Sequence, residues 1–307
     1  LGYIEHGREN KFVAPGIINK AMGRTLMDKY RDPRTVDAAF AAVAARWDEQ
    51  LAVFQVETPS PELNRMGNIW NQAQCMATFN LSRSASLFET GIGRGMGYRD
   101  SNQDILGFVH LVPSKARQRL LDIAATQMSS GLCFHQYQPL TKKGNADIGG
   151  GFMDDHLWLI LSTCAYIKET GDTAILQENI GYADQADTAK KGTLLDHLEL
   201  SIRYCLENRG PHGLPLIGHA DWNDCLNLNC FSTEPNESFQ LAGHGADDKV
   251  AESVMIAGLF LYASDLFAGL YDHLGQGADA ARIRDGNASI HKAVDAHERL
   301  DLGVRPK

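Results

Sequence analysis

The chain has 307 residues, of which 44% are hydrophobic and 22% are charged, so it can bury a sizeable core and is not a disordered protein. Its formal net charge is −9, from 29 basic and 38 acidic residues, and no block of Lys or Arg occurs along it. This pattern argues against a nucleic-acid-binding or anionic-membrane-binding surface.

Hydrophobic periodicity predicts helices along almost the whole chain. The first begins at Pro33, because Pro favours the first turn of a helix, and runs towards Phe54. The second carries an apolar stripe that includes Met66, Ile69, Trp70 and Met76. The helices after the first are predicted over 63–81, 101–110, 113–128, 154–170, 193–208, 250–274 and 278–298.

Strand signals are few, so the predicted fold class is all-α. A four-helix bundle has short loops, whereas several loops here are long and rich in Gly, Asn and Asp. Long structured loops are usually functional, and a toroid of paired helices gathers them at one end. Because the chain begins at Leu1 and ends at Lys307 without a recognisable closing element, we expect it to be part of a longer protein.

The first of three unusual loops covers 83–104 and holds three arginines, four glycines and three acids. The glycine patterns of dinucleotide-binding and P-loop sites both fail here. One interpretation is a flexible loop with surface charges. The other is a site in which Arg94, Arg99, Asp100 and Asp104 share one face, because the guanidinium fork suits an anion or a pair of sugar hydroxyls.

The second loop, 135–155, crowds aromatic, amide and carboxylate side chains together. Such mixtures bind polyhydroxyl ligands, because a carbohydrate offers apolar ring faces beside many hydrogen-bonding groups. The alternative is that Asp154 and Asp155 only cap the helix that follows.

The third loop, 210–231, carries Asp221, Trp222, Asn223 and Asp224 in succession. A carboxylic acid beside an apolar ring can have a raised pKa and donate a proton near neutrality. The alternative is a cluster of Asx turns, in which these side chains only bond their own backbone.

Other site chemistries have less support in the sequence. No zinc-ligand spacing occurs among His212, His219, Asp221 and Asp224, and calcium would need more oxygen ligands in one loop, so no metal is predicted. A Ser/His/Asp triad lacks its G-x-S-x-G elbow. The residues alone therefore indicate an all-α enzyme that acts on a carbohydrate, with acid chemistry by an Asp of the third loop.

Four long runs around these loops carry a resemblance to a known family, and it extends over about 17–270. These runs resemble the cellobiose phosphorylases of glycoside hydrolase family 94, and they look closer to enzymes for cellobiose than to those for longer cellodextrins, chitobiose or laminaribiose. The runs are NRMGNIWNQAQCMATFNLSRSAS (64–86), ETGIGRGMGYRDSNQDILGFVHLVP (89–113), HQYQPLTKKGNADIGGGFMDDHLWLI (135–160) and GPHGLPLIGHADWNDCLNLNCFS (210–232).

The resemblance implies a catalytic (α/α)6 barrel, normally preceded by a β-sandwich domain and a helical linker. On that basis we expect a helical linker over 1–60 and a partial barrel over 61–307, incomplete at its C-terminal end. The family's β-sandwich is expected to be missing from this chain. Two positions depart from the family, since His219 stands where an arginine is expected and His156 where a proline is expected.

The reaction that the resemblance implies is phosphorolysis of cellobiose to α-D-glucose 1-phosphate and D-glucose, with inversion at the anomeric carbon. Asp224 matches the general acid, and Arg94, Asp100 and Trp222 match residues that hold the donor glucose. Arg83 matches an arginine near the phosphate. Inorganic phosphate is then a co-substrate, no further cofactor is implied, and a homodimer is one assembly that the family allows.

Three alternatives stay open at this point. The chain could be a non-catalytic, truncated carbohydrate-binding fragment, an inverting glycosidase in which water replaces phosphate, or a phosphorylase for another β-linked disaccharide or a cellodextrin. Six cysteines without a CxxC pair are predicted to be reduced, which favours a cytoplasmic location. The longest uncharged apolar stretch, Ser253–Ser264, is shorter than the roughly 18 residues of a membrane helix.

Overall fold

A computed structural model of the chain describes residues 20–82, 95–138, 142–144, 151–185, 191–218, 220–223 and 251–301. Helices dominate these residues, and the strands among them are only two or three residues long. The predicted all-α class is therefore confirmed. The helices are α1 (Lys20–Lys29), α2 (Pro33–Leu51), α3 (Pro61–Arg65), α4 (Asn71–Ala77), α5 (Tyr98–Phe108), α6 (Pro113–Ala124), α7 (Asp155–Thr170), α8 (Leu194–Glu207), α9 (Val254–His273) and α10 (Gly277–Asp301).

Helix α2 begins where the sequence predicts. The Asp32 carboxylate accepts a hydrogen bond from the Arg34 amide at 3.0 Å, and Pro33 occupies the first turn. Helix α1 before it was not predicted. No residue of α2 is buried, and Phe40 is 73% exposed.

Two π-helical segments interrupt the helical run that begins with α3: Met66–Trp70 lies between α3 and α4, and Thr78–Ser82 follows α4. Trp70 is 58% exposed, whereas Met76 of the same predicted stripe is fully buried. A π turn closes i→i+5 hydrogen bonds and holds more residues than an α turn. A stripe drawn at 3.6 residues per turn therefore does not stay on one face, and only part of the predicted stripe reaches the core.

Helices α5 to α10 enclose one hydrophobic core. The most extensive helix–helix contacts are those of α5 with α7, α7 with α9 and α9 with α10. Helix α9 is long and apolar enough to cross a membrane by length and composition, which the shorter apolar stretch in the sequence did not suggest. Its Phe260 and Phe267 are fully buried in this core, as in the core helix of a globular domain.

The end of α7 and the start of α8 agree with the sequence prediction, because each carries a strong local signal. Gly171 ends α7 in the left-handed conformation at φ 71°, which glycine adopts without steric cost. Thr193 and Asp196 form a capping box at the start of α8, where the Thr193 hydroxyl accepts from the Asp196 amide at 3.1 Å.

Short strand pairings join the first loop to the second, and single bridges from Phe152 to Gly218 and Ala220 join the second loop to the third. Strand β1 (Met96–Gly97) pairs antiparallel with β2 (Gln136–Tyr137), which joins the first loop to the second. Strand β3 (Asn179–Gly181) pairs antiparallel with β4 (Lys191–Thr193) ahead of α8. The third loop is held by the residues before α9, since the Ile217 amide donates to the Ala251 carbonyl at 2.9 Å.

Candidate active site

Four buried ionisable side chains from the first two loops meet at the start of α7. They are Arg99, His135, Asp154 and Asp155, and none is more than 8% exposed. We call these four residues the charged cluster. Buried charges are costly unless they are paired and hydrogen-bonded, so each group of the cluster is described below by its partners.

Arg99 connects all three loops. Its Nη1 lies 3.4 Å from both carboxylate oxygens of Asp154 and donates to the backbone carbonyl of Asp221 at 3.0 Å. The guanidinium also lies over the ring of Phe152, with its central carbon 5.6 Å from the ring centroid. A single side chain of α5 therefore binds the start of α7 and the third loop together.

The second acid of the cluster is paired with a histidine. Asp155 Oδ2 lies 2.9 Å from Nδ1 of His135, and the imidazole stacks on Phe152 at a centroid distance of 3.8 Å. Phe152 therefore contacts both the guanidinium of Arg99 and the ring of His135.

Burial makes the two carboxyl groups hard to ionise. It raises the pKa of Asp154 to about 7, helped by the nearby charge of Asp155 and opposed by Arg99 and by a 3.1 Å hydrogen bond from Trp158 Nε1. Burial also raises the pKa of Asp155, opposed by its bond to His135. The cluster can therefore hold or release a proton near neutral pH.

The interpretation that Asp154 and Asp155 are only helix caps is wrong. Asp154 is the N-cap residue of α7, but its side chain makes no capping hydrogen bond to the helix backbone. Its carboxylate turns instead to Arg99 and Trp158. The sequence pattern could not distinguish these cases, because the partners lie 55 residues and 4 residues away along the chain.

The side chain of Asp221 restrains the third loop in addition to the bond that Arg99 makes to the Asp221 carbonyl. Its Oδ1 accepts from the backbone amide of Asn223 at 2.9 Å, which is the predicted Asx turn. Its Oδ2 accepts from the hydroxyl of Ser253 at 2.7 Å, and Ser253 caps α9 through the Ile256 amide. The predicted Asx turn is therefore present at this residue, and Arg99 binds the carbonyl of the same residue. The site interpretation of the third loop stays a prediction.

Two of the predicted site residues fall in the described part of the chain. Asp100 lies in the first turn of α5, where its carboxylate occupies the space that a Cβ on Gly97 would need. It is close enough to Asp155 for its charge to raise the pKa of that residue. Trp222 follows Asp221 directly and is 50% exposed. Arg99 directly precedes Asp100, and Asp221 directly precedes Trp222. A hydrogen bond joins Arg99 to the Asp221 carbonyl.

The remaining predicted site residues, Asp224, Arg94 and Arg83, lie outside the described residues, as does His219. Within the described ranges, no group of three or more His, Cys, Asp or Glu side chains is arranged to hold a metal ion. The cysteines described at 75, 133, 164 and 205 are free thiols.

His156 follows the two acids on α7 but faces the core. It is fully buried, its ring meets Tyr204 edge to face at 5.2 Å, and neither ring nitrogen has a hydrogen-bond partner within the described ranges. Burial lowers the pKa of His156 to about 3, so the ring is neutral at physiological pH. It behaves as an aromatic core residue at the position where the family resemblance expected proline.

The pairing of Arg99 with Asp154 was missed at the level of sequence. Arg99 was grouped with its neighbours on one face of the first loop, and Asp154 was assigned to sugar binding or capping. The available signal was that each of the three loops contains a charged residue beside an aromatic or glycine residue. That signal does not say which charge meets which.

Residues 46–300 match the family described as the Glycosyl hydrolase 94 superfamily, catalytic domain. The chain is 31% identical to the N,N'-diacetylchitobiose phosphorylase of Vibrio proteolyticus and 30% identical to that of Vibrio furnissii, over 98% of this chain and 37% of each relative. It is 29% identical to the solabiose phosphorylase of Paenibacillus borealis, over 92% of this chain and 30% of the relative. The chain thus spans between 30% and 37% of the length of these relatives.

Proposed function

The chain belongs to the glycosyl hydrolase 94 superfamily, and from that premise we propose that it acts in disaccharide phosphorolysis. Inorganic phosphate would cleave a β-linked disaccharide into an α-sugar 1-phosphate and a monosaccharide. The observation that carries the proposal is the meeting of the three motif-bearing loops, where Arg99 of the first binds Asp154 of the second and the Asp221 carbonyl of the third.

The proposed general acid is Asp224. Its carboxyl proton passes to the glycosidic oxygen as the bond between that oxygen and the anomeric carbon breaks. A phosphate oxygen forms the new bond to the anomeric carbon from the opposite face, so a β linkage gives an α phosphate. Because phosphate is already an anion, it needs no general base, in contrast to the water of an inverting hydrolase.

Trp222 and Asp100 suit the proposed donor-sugar subsite. The Trp222 ring is half exposed next to Asp221, whose carbonyl and carboxylate are both hydrogen-bonded. An exposed aromatic ring on a fixed backbone can stack on the apolar face of a sugar. The Asp100 carboxylate can accept hydrogen bonds from sugar hydroxyls. Arg94 and Arg83 are assigned to the donor sugar and to phosphate from the motifs alone.

Cellobiose is the disaccharide that the sequence motifs favour, and we propose it as the first substrate. The second candidate is N,N'-diacetylchitobiose, because two relatives at 31% and 30% identity bear that name. The two differ by an acetamido group in place of the 2-hydroxyl of each sugar. Discrimination between them therefore depends on the space and hydrogen-bonding groups beside that position.

For the architecture, we propose that the helices from residue 61 onward belong to an (α/α)6 barrel and that residues 1–60 form a linker. The exposed helix α2, none of whose residues is buried, supports the second part. We also propose phosphate as a co-substrate with no organic cofactor, a homodimer as the assembly, and the cytoplasm as the location.

The test is to incubate the chain with cellobiose, N,N'-diacetylchitobiose and solabiose, each with and without phosphate. Phosphorus and proton NMR then identify the sugar phosphate and its anomeric configuration. An α-sugar 1-phosphate that forms only with phosphate supports the proposal, and the disaccharide consumed identifies the substrate. Free sugars formed without phosphate would indicate an inverting glycosidase, and sugar binding without turnover would indicate a non-catalytic fragment.

The general acid is tested by Asp224→Asn, with Asp295→Asn as the matched control. Loss of the proton donor should lower kcat by about 10²–10⁴-fold. Asp295 is an exposed acid of α10 that pairs with His291, so its variant should keep the wild-type rate. Near-normal turnover by Asp224→Asn would remove Asp224 from this role.

A further inference from the structure

We propose that Arg99 is a positioning residue, which holds the backbone of the third loop in place for catalysis by clamping the Asp221 carbonyl to the start of α7. The inference rests on the proposed function in one respect only, namely that this loop carries the sugar-binding and acid groups. The clamp itself is a property of the folded chain without substrate.

Among the described residues, the contacts that form the clamp are made by Nη1 of Arg99. Arg99 Nη1 donates to the Asp221 carbonyl at 3.0 Å and lies 3.4 Å from each oxygen of Asp154. A hydrogen bond from a charged donor is about twice as strong as one between neutral groups. Arg99 is only 5% exposed, so water competes little for the carbonyl.

The anchor at the other end is held firmly. Asp154 is fully buried at the first turn of α7, and Trp158 one turn later donates to the same carboxylate at 3.1 Å. The guanidinium lies over the ring of Phe152, which also stacks on the ring of His135. The guanidinium is therefore fixed in position before it meets the loop, which limits the entropy lost in holding the carbonyl.

The loop end of the clamp combines with other restraints. The Asp221 carboxylate bonds Ser253 at the start of α9 and the Asn223 amide within the turn. Arg99 adds a restraint from α5, so the peptide before Trp222 is held from α5 and from α9 at once. The Trp222 ring stays half exposed on this held backbone. Preorganisation of this kind spares a binding loop the cost of ordering when ligand arrives.

A simpler account is that Arg99 only neutralises the buried carboxylate of Asp154. The two accounts differ in the double variant Arg99→Met with Asp154→Asn. That variant leaves no unpaired charge from the pair, so both accounts expect the free energy of unfolding to recover towards wild type. Only the positioning account expects the loop to stay loose, because the hydrogen bond from Arg99 to the Asp221 carbonyl is still missing.

The experiment is hydrogen–deuterium exchange followed by mass spectrometry on the peptide 216–223, without substrate. We expect amide exchange to accelerate about tenfold or more in Arg99→Met and to stay fast in the double variant. The control is Arg117→Met, which also removes an arginine bound to two carboxylates, those of Asp172 and Glu178, away from the loop. It should leave exchange in 216–223 unchanged.

Two results would overturn the inference. One is wild-type exchange of 216–223 in Arg99→Met, and the other is its return to the wild-type rate in the double variant. If Arg99→Met alone fails to fold, the double variant decides. In chains with measurable turnover, kcat/KM should fall in both Arg99 variants. Because exchange is read without substrate, a chain that cleaves none of the disaccharides still tests the clamp, so this result is independent of the proposed reaction.

Discussion

Two clusters of buried polar side chains in this protein differ in how their groups are satisfied: one uses ion pairs and the other uses neutral hydrogen bonds. The second, which we call the neutral cluster, consists of Gln127, His197 and Ser201 between α6 and α8. The Gln127 Oε1 lies 2.7 Å from His197 Nδ1, and its Nε2 donates to the Ser201 hydroxyl at 2.9 Å. Ser201 in turn donates to the His197 carbonyl at 3.1 Å. Burial lowers the pKa of His197 to about 4, so the set carries no charge at neutral pH.

The charged cluster instead encloses a guanidinium and two carboxyl groups at the junction of three loops. The groups of the neutral cluster form hydrogen bonds with one another and carry no charge, so they cost little to bury. The charged cluster costs desolvation energy for each ion, and a buried ion pair of this kind is weak evidence for stability. The charged cluster lies where Arg99 binds the Asp221 carbonyl, so the groups that cost desolvation energy are the same groups that connect the loops. The predictions below separate the two clusters, from the largest expected effect to the smallest.

Removing the cation should break the charged cluster. Arg99→Met leaves the fully buried Asp154 without its positive partner, and the loss of one partner of a buried pair costs about 3–5 kcal/mol. Urea unfolding measures the change in the free energy of unfolding. The Arg117 side chain is 31% exposed, so Arg117→Met should cost about 1 kcal/mol or less by the same measurement. Equal losses in the two variants would contradict the distinction.

The pH dependence of stability should identify Asp154 as one titrating group of the charged cluster. Its pKa rises from 3.8 to about 7 on folding, so the folded state binds more protons between these values. The contribution of Asp154 to stability is therefore full below pH 4 and is lost as the pH rises through 7, by about 4 kcal/mol at most. The groups that face it are Asp155, Arg99 and Trp158. Asp154→Asn should flatten this part of the unfolding free energy curve.

The neutral cluster should show the opposite slope, which serves as the internal control. The pKa of His197 falls from 6.5 to about 4 on folding, so its contribution is present above pH 6.5 and is lost as the pH falls through 4. Asp154→Asn should retain this loss on the acid side. If the variant instead keeps the wild-type fall in stability between pH 4 and 7, Asp154 is not its source.

Gln127→Met should break the neutral cluster with a smaller effect. The variant keeps the volume but leaves a buried ring nitrogen of His197 and the Ser201 hydroxyl without their partner, at about 1–3 kcal/mol. Urea unfolding measures this loss. KM for the disaccharide should stay at its wild-type value, because this cluster does not hold the loops. A rise in KM would contradict the division between the two clusters.

Trp222→Ala should have the smallest effect on stability and still weaken sugar binding. The ring is half exposed, so the free energy of unfolding should change by about 0.5 kcal/mol or less. Loss of a stacking surface should raise KM for the disaccharide about tenfold, since an aromatic contact contributes about 0.5–1.5 kcal/mol beyond its area. Steady-state kinetics measure it, and Tyr262→Ala on the exposed face of α9 is the matched control. An unchanged KM would exclude Trp222 from the sugar site.

Sequence reasoning located the helices best where a local signal marks their ends. Pro33 with Asp32, Thr193 with Asp196, and Gly171 each act within a few residues, and the predicted boundaries there are confirmed. The start of α5 was set three residues too late, at 101 instead of Tyr98. Its N-cap is Gly97, which offers no side-chain signal, and its position depends on the pairing of β1 with β2.

The sequence by itself determined the all-helical class, the ends of the capped helices, and the three loops that meet at the charged cluster. Those features follow from periodicity and capping, which act over one or two turns. Only the tertiary structure decided that Asp154 binds Arg99 rather than its own helix, and that Arg99 reaches Asp221 across 122 positions of the chain. A buried charge takes the partner that the packed core brings within hydrogen-bonding distance, and no local pattern encodes that choice.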